Sequence, residues 1–106
     1  MLEDRLIYTN HAKSKMRHYG ISANLVKRVI RYPDRVEEAI VDNLIAAMKK
    51  TRSKSYPELW VMYEKFSEQG SDKLKIITAW RYPAESDERD PIPENILQEV
   101  RKIIGF

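Results

Sequence analysis

The chain of 106 residues contains no cysteine, only three glycines and no long apolar segment. Without cysteine it forms neither a disulfide framework nor a thiolate metal site. Three glycines are too few for a glycine-rich phosphate loop. The apolar runs are far shorter than the roughly 20 residues of a transmembrane helix, and the first ten residues lack the apolar segment of a secretory signal. We therefore expect one cytoplasmic domain over residues 1–106, with no membrane contact and no cofactor.

Charged residues are abundant but unevenly placed along the chain. Residues 11–35 hold seven lysines or arginines against one acid, and residues 49–54 (KKTRSK) hold four bases and no acid. These two segments carry +10 in a chain of formal net charge +3, so the rest carries −7. Much of that negative charge lies in residues 84–99, with six acids and one base. The pattern predicts a basic surface that attracts polyanions such as nucleic acids, or else charges that only keep helices and a hairpin soluble.

The apolar pattern predicts a short strand, two helices, a series of strands and a last helix. Thr9 or Asn10 can cap the first helix, which Gly20 ends, and Ser22 can cap the second. The strands are predicted at residues 6–9, 35–42, 44–52, 58–66 and 73–81, and the last helix at 93–104. Residues 44–52 favour a helix locally, but their neighbours favour a strand. The order predicts an α+β fold with helices on one face of an antiparallel meander.

The N-terminal third of the chain carries a recognisable pattern: His11, then Met16-Arg17, Tyr19-Gly20-Ile21-Ser22, Val26, Val29-Ile30 and Pro33. Strands follow, with Arg81 near the end of the last. The pattern resembles an uncharacterised domain family grouped with the BrnT-like toxins in the RelE/ParE superfamily. The resemblance implies a RelE-like fold. Many members of that superfamily are toxins of toxin–antitoxin pairs. Several cleave mRNA without a metal, often on the ribosome, and others act on gyrase.

Metal-free RNA cleavage needs a base for the 2′-hydroxyl, cations for the crowded phosphate and an acid for the leaving oxygen. Histidine transfers protons near neutral pH, and arginine offers phosphate a planar fork of donors. We therefore expect His11, Arg17 and Arg81 to be the catalytic groups. The cations expected to bind RNA are Lys13, His18, Lys49, Lys50 and Arg52. Tyr63 and Tyr82 are further candidates, since some RelE-like enzymes use tyrosine.

Each candidate also has a structural alternative. His11 can bond to backbone or to a neighbouring strand, Arg17 can pair with a glutamate at 37–38, and Arg81 can pair with Glu64 across the sheet. The strand aromatics can stack on bases or simply pack in the sheet: Trp60, Tyr63, Trp80 and Tyr82. The two histidines lie seven residues apart, and zinc needs more ligands closer together, so we expect no metal site.

These observations predict a toxin-like protein directed at RNA or the ribosome. If it cleaves its RNA target, it is an enzyme, a metal-free endoribonuclease. An acidic antitoxin would mask its basic surface. Two alternatives remain open at this point. One is a non-catalytic module of the same fold that binds nucleic acid or a protein. The other is a small interaction protein, such as a homodimer, whose polar residues are structural.

Overall fold

The computed structural model describes residues 5–38, 44–83 and 92–104. Within these ranges it contains β1 (Leu6–Tyr8), α1 (Asn10–Tyr19), α2 (Ala23–Arg31), β2 (Arg35–Glu38), β3 (Leu44–Lys50), β4 (Glu58–Glu68), β5 (Ser71–Tyr82) and α3 (Glu94–Ile104). The α+β class is confirmed, and so is the strand expected at 44–52. The second half of the strand expected at 35–42 lies outside the described residues. None of the described helices has the length and apolar character needed to cross a membrane.

Local sequence sets the ends of the first two helices as predicted. The Thr9 hydroxyl accepts a hydrogen bond from the Ala12 amide at 3.0 Å, and the Ser22 hydroxyl accepts one from the Leu25 amide at 3.1 Å. Gly20 follows α1 with φ of 65°, in the left-handed region that favours glycine. These caps fix where α1 stops and so where its basic last turn lies.

The five strands form one sheet in the order β1-β5-β4-β3-β2. Strands β2 to β5 run antiparallel in sequence order, as the predicted meander requires, but β1 pairs in parallel with β5. The sheet is therefore mixed. Because two helices separate β1 from β2, no hairpin fixes the direction of β1. The turn between β4 and β5 is Gln69-Gly70, with φ of 50° and 80°.

The helices cover both faces of the sheet, so the expectation of a single covered face is wrong. On the first face, Val26 and Val29 of α2 pack against the cluster that contains Val61. On the second face, Ile96 and Val100 of α3 pack against the cluster that contains Trp60 and Trp80. The reason lies in the strands, because all residues from 58 to 63 are buried. A strand that is apolar on both sides needs a cover on each.

Helix α1 lies alongside the second half of β5, beyond the end of β1. At its start, the Thr9 amide and hydroxyl donate to the carbonyls of Ile76 and Ile77, each at 3.1 Å. At its end, the Arg81 Nε donates to the Tyr19 carbonyl at 2.9 Å. Tyr19 packs against both apolar clusters. The last turn of α1 therefore sits at the same end of the sheet as the end of β5.

Burial of Tyr63 predicts a specific loss of stability in alkali. The residue is 7% exposed, and this burial raises the pKa of its phenol above the ordinary value of 10.0. The folded chain holds this proton more tightly than the unfolded chain does. The resulting stability is complete below about pH 10 and is lost as the pH rises from there through the raised pKa.

We therefore expect Tyr63→Phe to lose less free energy of unfolding than the wild type between about pH 8 and about pH 11, as measured by urea denaturation. Tyr56→Phe is the matched control, because Tyr56 is 43% exposed, and it should follow the wild type. Equal alkaline losses in Tyr63→Phe and the wild type would contradict this account.

Candidate nucleic-acid interface

One end of the sheet brings together chain segments that are far apart in sequence. Lys50 at the end of β3 lies in register with Glu58 at the start of β4, and Glu58 with Tyr82 at the end of β5. The loop 51–57 joins the first two strands at this point, and the last turn of α1 lies beside Arg81. We call this surface the basic end. It consists of residues 13–20, the segment 50–57 and Arg81.

Arg81 of the basic end and Lys49 next to it bond to the ends of two helices. Lys49 and Arg81 both lie in register with Leu59, one on each side of β4, so they share a face of the sheet. The Lys49 Nζ donates to the Tyr32 carbonyl and the Arg81 Nε to the Tyr19 carbonyl, both at 2.9 Å. Cations suit helix C-termini because the last carbonyls lack partners there. Lys49 thus has a structural role, and its RNA contact stays a prediction.

Arg81 does not pair with Glu64, so that structural alternative is wrong. The Glu64 carboxylate instead lies 3.9 Å from the Lys75 ammonium, further along β5. The bond to Tyr19 occupies only the Nε of Arg81, and a guanidinium carries five N–H donors in all. Arg81 is half-buried and lines a cavity of about 450 Å³. It therefore anchors α1 and faces that cavity at once.

The cavity beside Arg81, which we call the basic-end pocket, is lined by His18, Tyr19, Ser53, Tyr56 and Arg81. The ring of His18 stands edge-on to the ring of Tyr19, with centroids 4.8 Å apart. No acid is among the described residues that line it. The pocket combines an imidazole, a guanidinium and three hydroxyl-bearing side chains. Such groups bind a phosphate and transfer a proton without a metal.

A second depression continues the basic end along α1. It is lined by Lys13, Met16, Arg17, Gly20, Ile21 and Ser22. Lys13 and Arg17 are four residues apart, so they lie on one face of the helix, and both are exposed. Arg17 forms no ion pair with Glu37 or Glu38 in the described part of the chain, so that structural alternative is wrong; the Glu37 carboxylate accepts from the Arg35 Nε at 2.6 Å. Arg17 instead presents its charge to this depression.

The exposed segment that carries Lys50, Arg52 and Lys54 forms the other wall of the basic end. Two acids of the described residues lie nearby and are engaged within the fold. The Asp34 carboxylate accepts from the Lys50 amide at 2.7 Å. The Glu58 carboxylate is 3% exposed and accepts from the Trp60 indole at 2.9 Å. Neither of these acids pairs with the exposed side chains of Lys50, Arg52 and Lys54.

His11 lies away from this pocket and faces α3. Its Nε2 is 3.5 Å from one carboxylate oxygen of Glu99, and the Lys15 ammonium is 3.1 Å from the other. These contacts tie α1 to α3, so His11 lies beside a carboxylate of a helix and not beside the backbone group or strand considered for it. Among the residues described, His11, Arg17 and Arg81 do not line one cavity. The catalytic role of His11 stays a prediction that this placement does not support, and His18 is the histidine beside Arg81.

The aromatic side chains of the strands pack in the core, and one exposed aromatic residue lies in a loop. Trp60 and Trp80 are 0% and 1% exposed and stack with their ring centroids 5.6 Å apart, so they cannot reach a base. Tyr63 is also buried, and Tyr82 packs against the second cluster. The exposed aromatic of the site is Tyr56, which the sequence reasoning did not single out. Its signal was an aromatic residue within a basic segment, KKTRSKSYP.

In the described ranges, no group of three or more histidines and acids is arranged to hold a metal ion. A cavity of similar size at the opposite end, near the β4–β5 turn, has mixed charge, because Asp72 lines it together with Arg5, Lys65 and Lys73.

No protein-family model matches the chain, and no curated protein is significantly similar to it in sequence.

Proposed function

We propose that this chain is an RNA-directed, toxin-like protein that holds an RNA strand along its basic end. The observation that carries the proposal is the pocket in which His18 and Arg81 meet, which no acid lines among the described residues, beside an exposed segment with three cations. The resemblance of its N-terminal third to the BrnT-like group of the RelE/ParE superfamily supports the same function.

Electrostatics favours an extended polyanion as the ligand. Lys13 and Arg17 line the depression beside His18 on α1, and Arg52 and Lys54 flank Ser53 in the loop that carries Tyr56. An RNA strand bound at the pocket would thus have cations of both segments near it. Phosphates that are neutralised by such cations release their counterions, which supplies affinity at low salt. At the opposite end of the sheet, Asp72 lies among the three cations that line the cavity.

Metal-free cleavage is the second candidate function, and the shared pocket of His18 and Arg81 favours it. His18 would take the proton of a 2′-hydroxyl as the 2′ oxygen attacks phosphorus. The bond from phosphorus to the 5′ oxygen then breaks, and that oxygen takes a proton from water. Arg81 would stabilise the charge that develops on the phosphate. Here His18 replaces His11 as the proton-transfer group. A non-catalytic module with the same surface is the alternative.

The same cations define the protein partner that we propose, an acidic antitoxin. A partner that covers Arg52, Lys54 and Arg81 with carboxylates would block the RNA surface and so suppress toxicity. Because both ligands need the same charges, RNA and the acidic partner would compete for the basic end.

The proposal predicts that charge removal at the basic end weakens RNA binding. We expect the double variant Arg52→Gln/Lys54→Gln to bind a fluorescent single-stranded RNA about tenfold more weakly at low salt, because each exposed contact contributes on the order of 0.7 kcal/mol. Fluorescence anisotropy in the presence of EDTA measures this affinity without metal-dependent nucleases.

The matched control is Lys65→Gln/Lys102→Gln, which removes two exposed charges away from the basic end. It should bind RNA as the wild type does. If both double variants weaken binding equally, the net charge alone attracts RNA. If neither changes it, the basic end is not the RNA surface.

A further inference from the structure

Tyr56 differs from the other aromatic residues that line or approach the basic end. It is 43% exposed, whereas Trp60 and Trp80 in the neighbouring strands are buried. It lines the basic-end pocket together with His18 and Arg81. A large exposed aromatic side chain beside phosphate-binding cations is the arrangement that proteins use to stack an unpaired base.

The loop that carries Tyr56 is held in one shape by its own hydrogen bonds. The Thr51 hydroxyl donates to the Tyr56 carbonyl at 2.7 Å, and the Tyr56 amide donates to the Ser53 hydroxyl at 3.0 Å. The Ser53 amide in turn donates to the Thr51 hydroxyl at 3.2 Å, and the Thr51 amide to the Pro57 carbonyl at 2.8 Å. Both backbone groups of Tyr56 are thus fixed. An aromatic ring on a fixed loop loses little conformational entropy when it contacts a ligand.

The pocket also has the size of a single nucleotide. A volume of about 450 Å³ has room for one base with its sugar and phosphate. In a duplex the bases are stacked on one another and their faces are not available. Only an unpaired nucleotide offers a free face to Tyr56 while its phosphate contacts Arg81 and His18.

We infer that Tyr56 is a base-stacking platform and that the basic-end pocket takes one unstacked nucleotide, so the ligand is single-stranded RNA. This inference rests on the proposed function, since it requires that the cations bind RNA phosphates. It adds that the RNA is single-stranded and that Tyr56 is the side chain that selects a single strand. Ser53 fixes the platform through the Tyr56 amide and acts as a positioning residue.

The test uses three probes: a single-stranded oligoribonucleotide that contains 2-aminopurine, the duplex of the same sequence, and inorganic polyphosphate. Tyr56→Ala is expected to weaken binding of the single strand about tenfold and to leave binding of the duplex and of polyphosphate unchanged. Wild type and Tyr56→Phe should quench the 2-aminopurine fluorescence, because both keep an aromatic ring, and Tyr56→Ala should not. Tyr32→Ala removes another exposed tyrosine, which follows α2, and should behave as the wild type.

The outcomes separate this inference from the proposed function. If the wild type binds all three probes and Tyr56→Ala binds the single strand unchanged, the stacking role is wrong and the RNA surface stands. An equal loss for all three probes in Tyr56→Ala would also overturn the stacking role, since it would show general damage to the loop. If the wild type binds none of the probes, the proposed function itself fails.

Discussion

Replacing His18 with glutamine is expected to lower the single-turnover rate of RNA cleavage at least about 100-fold, if the proposed chemistry holds at the basic-end pocket. Glutamine keeps a polar side chain of similar length but cannot take a proton from a 2′-hydroxyl. The affinity for RNA should fall less than about fivefold, because an exposed contact contributes no more than about 1 kcal/mol. A gel assay of labelled RNA with excess protein in EDTA separates the two effects.

The matched control is His11→Gln, the histidine that the sequence favoured. His11 lies 3.5 Å from the Glu99 carboxylate, so its replacement should alter the contact between α1 and α3 and leave cleavage intact. Loss of cleavage in His11→Gln with full activity in His18→Gln would reverse the assignment. A wild type that binds RNA and releases no products would contradict cleavage and leave the non-catalytic module as the function.

Trp60→Ala is expected to lower the free energy of unfolding by about 3–5 kcal/mol, or to prevent folding. The side chain is fully buried on the second face and stacks on Trp80. Its indole N–H also donates to the buried Glu58 carboxylate at 2.9 Å, so removal of the ring leaves a cavity and takes one donor from a buried charge. Urea denaturation followed by circular dichroism measures the loss.

Two milder variants isolate the hydrogen bond from the cavity. Trp60→Phe and Trp80→Phe each remove a similar volume, but the Trp80 indole N–H has no hydrogen-bond partner among the described residues. Trp60→Phe should therefore cost about 1.5–3 kcal/mol more than Trp80→Phe, the contribution of a hydrogen bond to a charged group. Equal costs would show that the bond to Glu58 adds no net stability.

The local elements of this fold were predictable because nearby residues determine them. Thr9, Gly20 and Ser22 act within one helical turn, and the β-branched and aromatic runs in β4 and β5 need only their own composition. The direction of β1 and the face covered by α3 were not predictable in the same way. They depend on which distant segments meet. The buried run 58–63 carried the clue that both faces of the sheet require a cover.

The residue types of the candidate site were predictable from the sequence, but their arrangement in space was not. Charge and histidine chemistry pointed to His18 and Arg81, but no spacing rule states that α1 lies beside β5 and brings them together. The same limit applies to His11, whose partner Glu99 lies at the other end of the chain. Tyr56 escaped notice because its role depends on side-chain exposure and on a loop held by two hydroxyls.

The salt dependence of RNA affinity tests the central claim most directly. For the wild type and the two double variants, the logarithm of the binding constant for single-stranded RNA is plotted against the logarithm of the salt concentration. The account predicts that Arg52→Gln/Lys54→Gln lowers the magnitude of the slope by about 1.4, which is about 0.7 for each lost phosphate contact, and that Lys65→Gln/Lys102→Gln leaves it unchanged. A wild-type affinity that does not depend on salt, or equal slopes for all three proteins, would contradict the account.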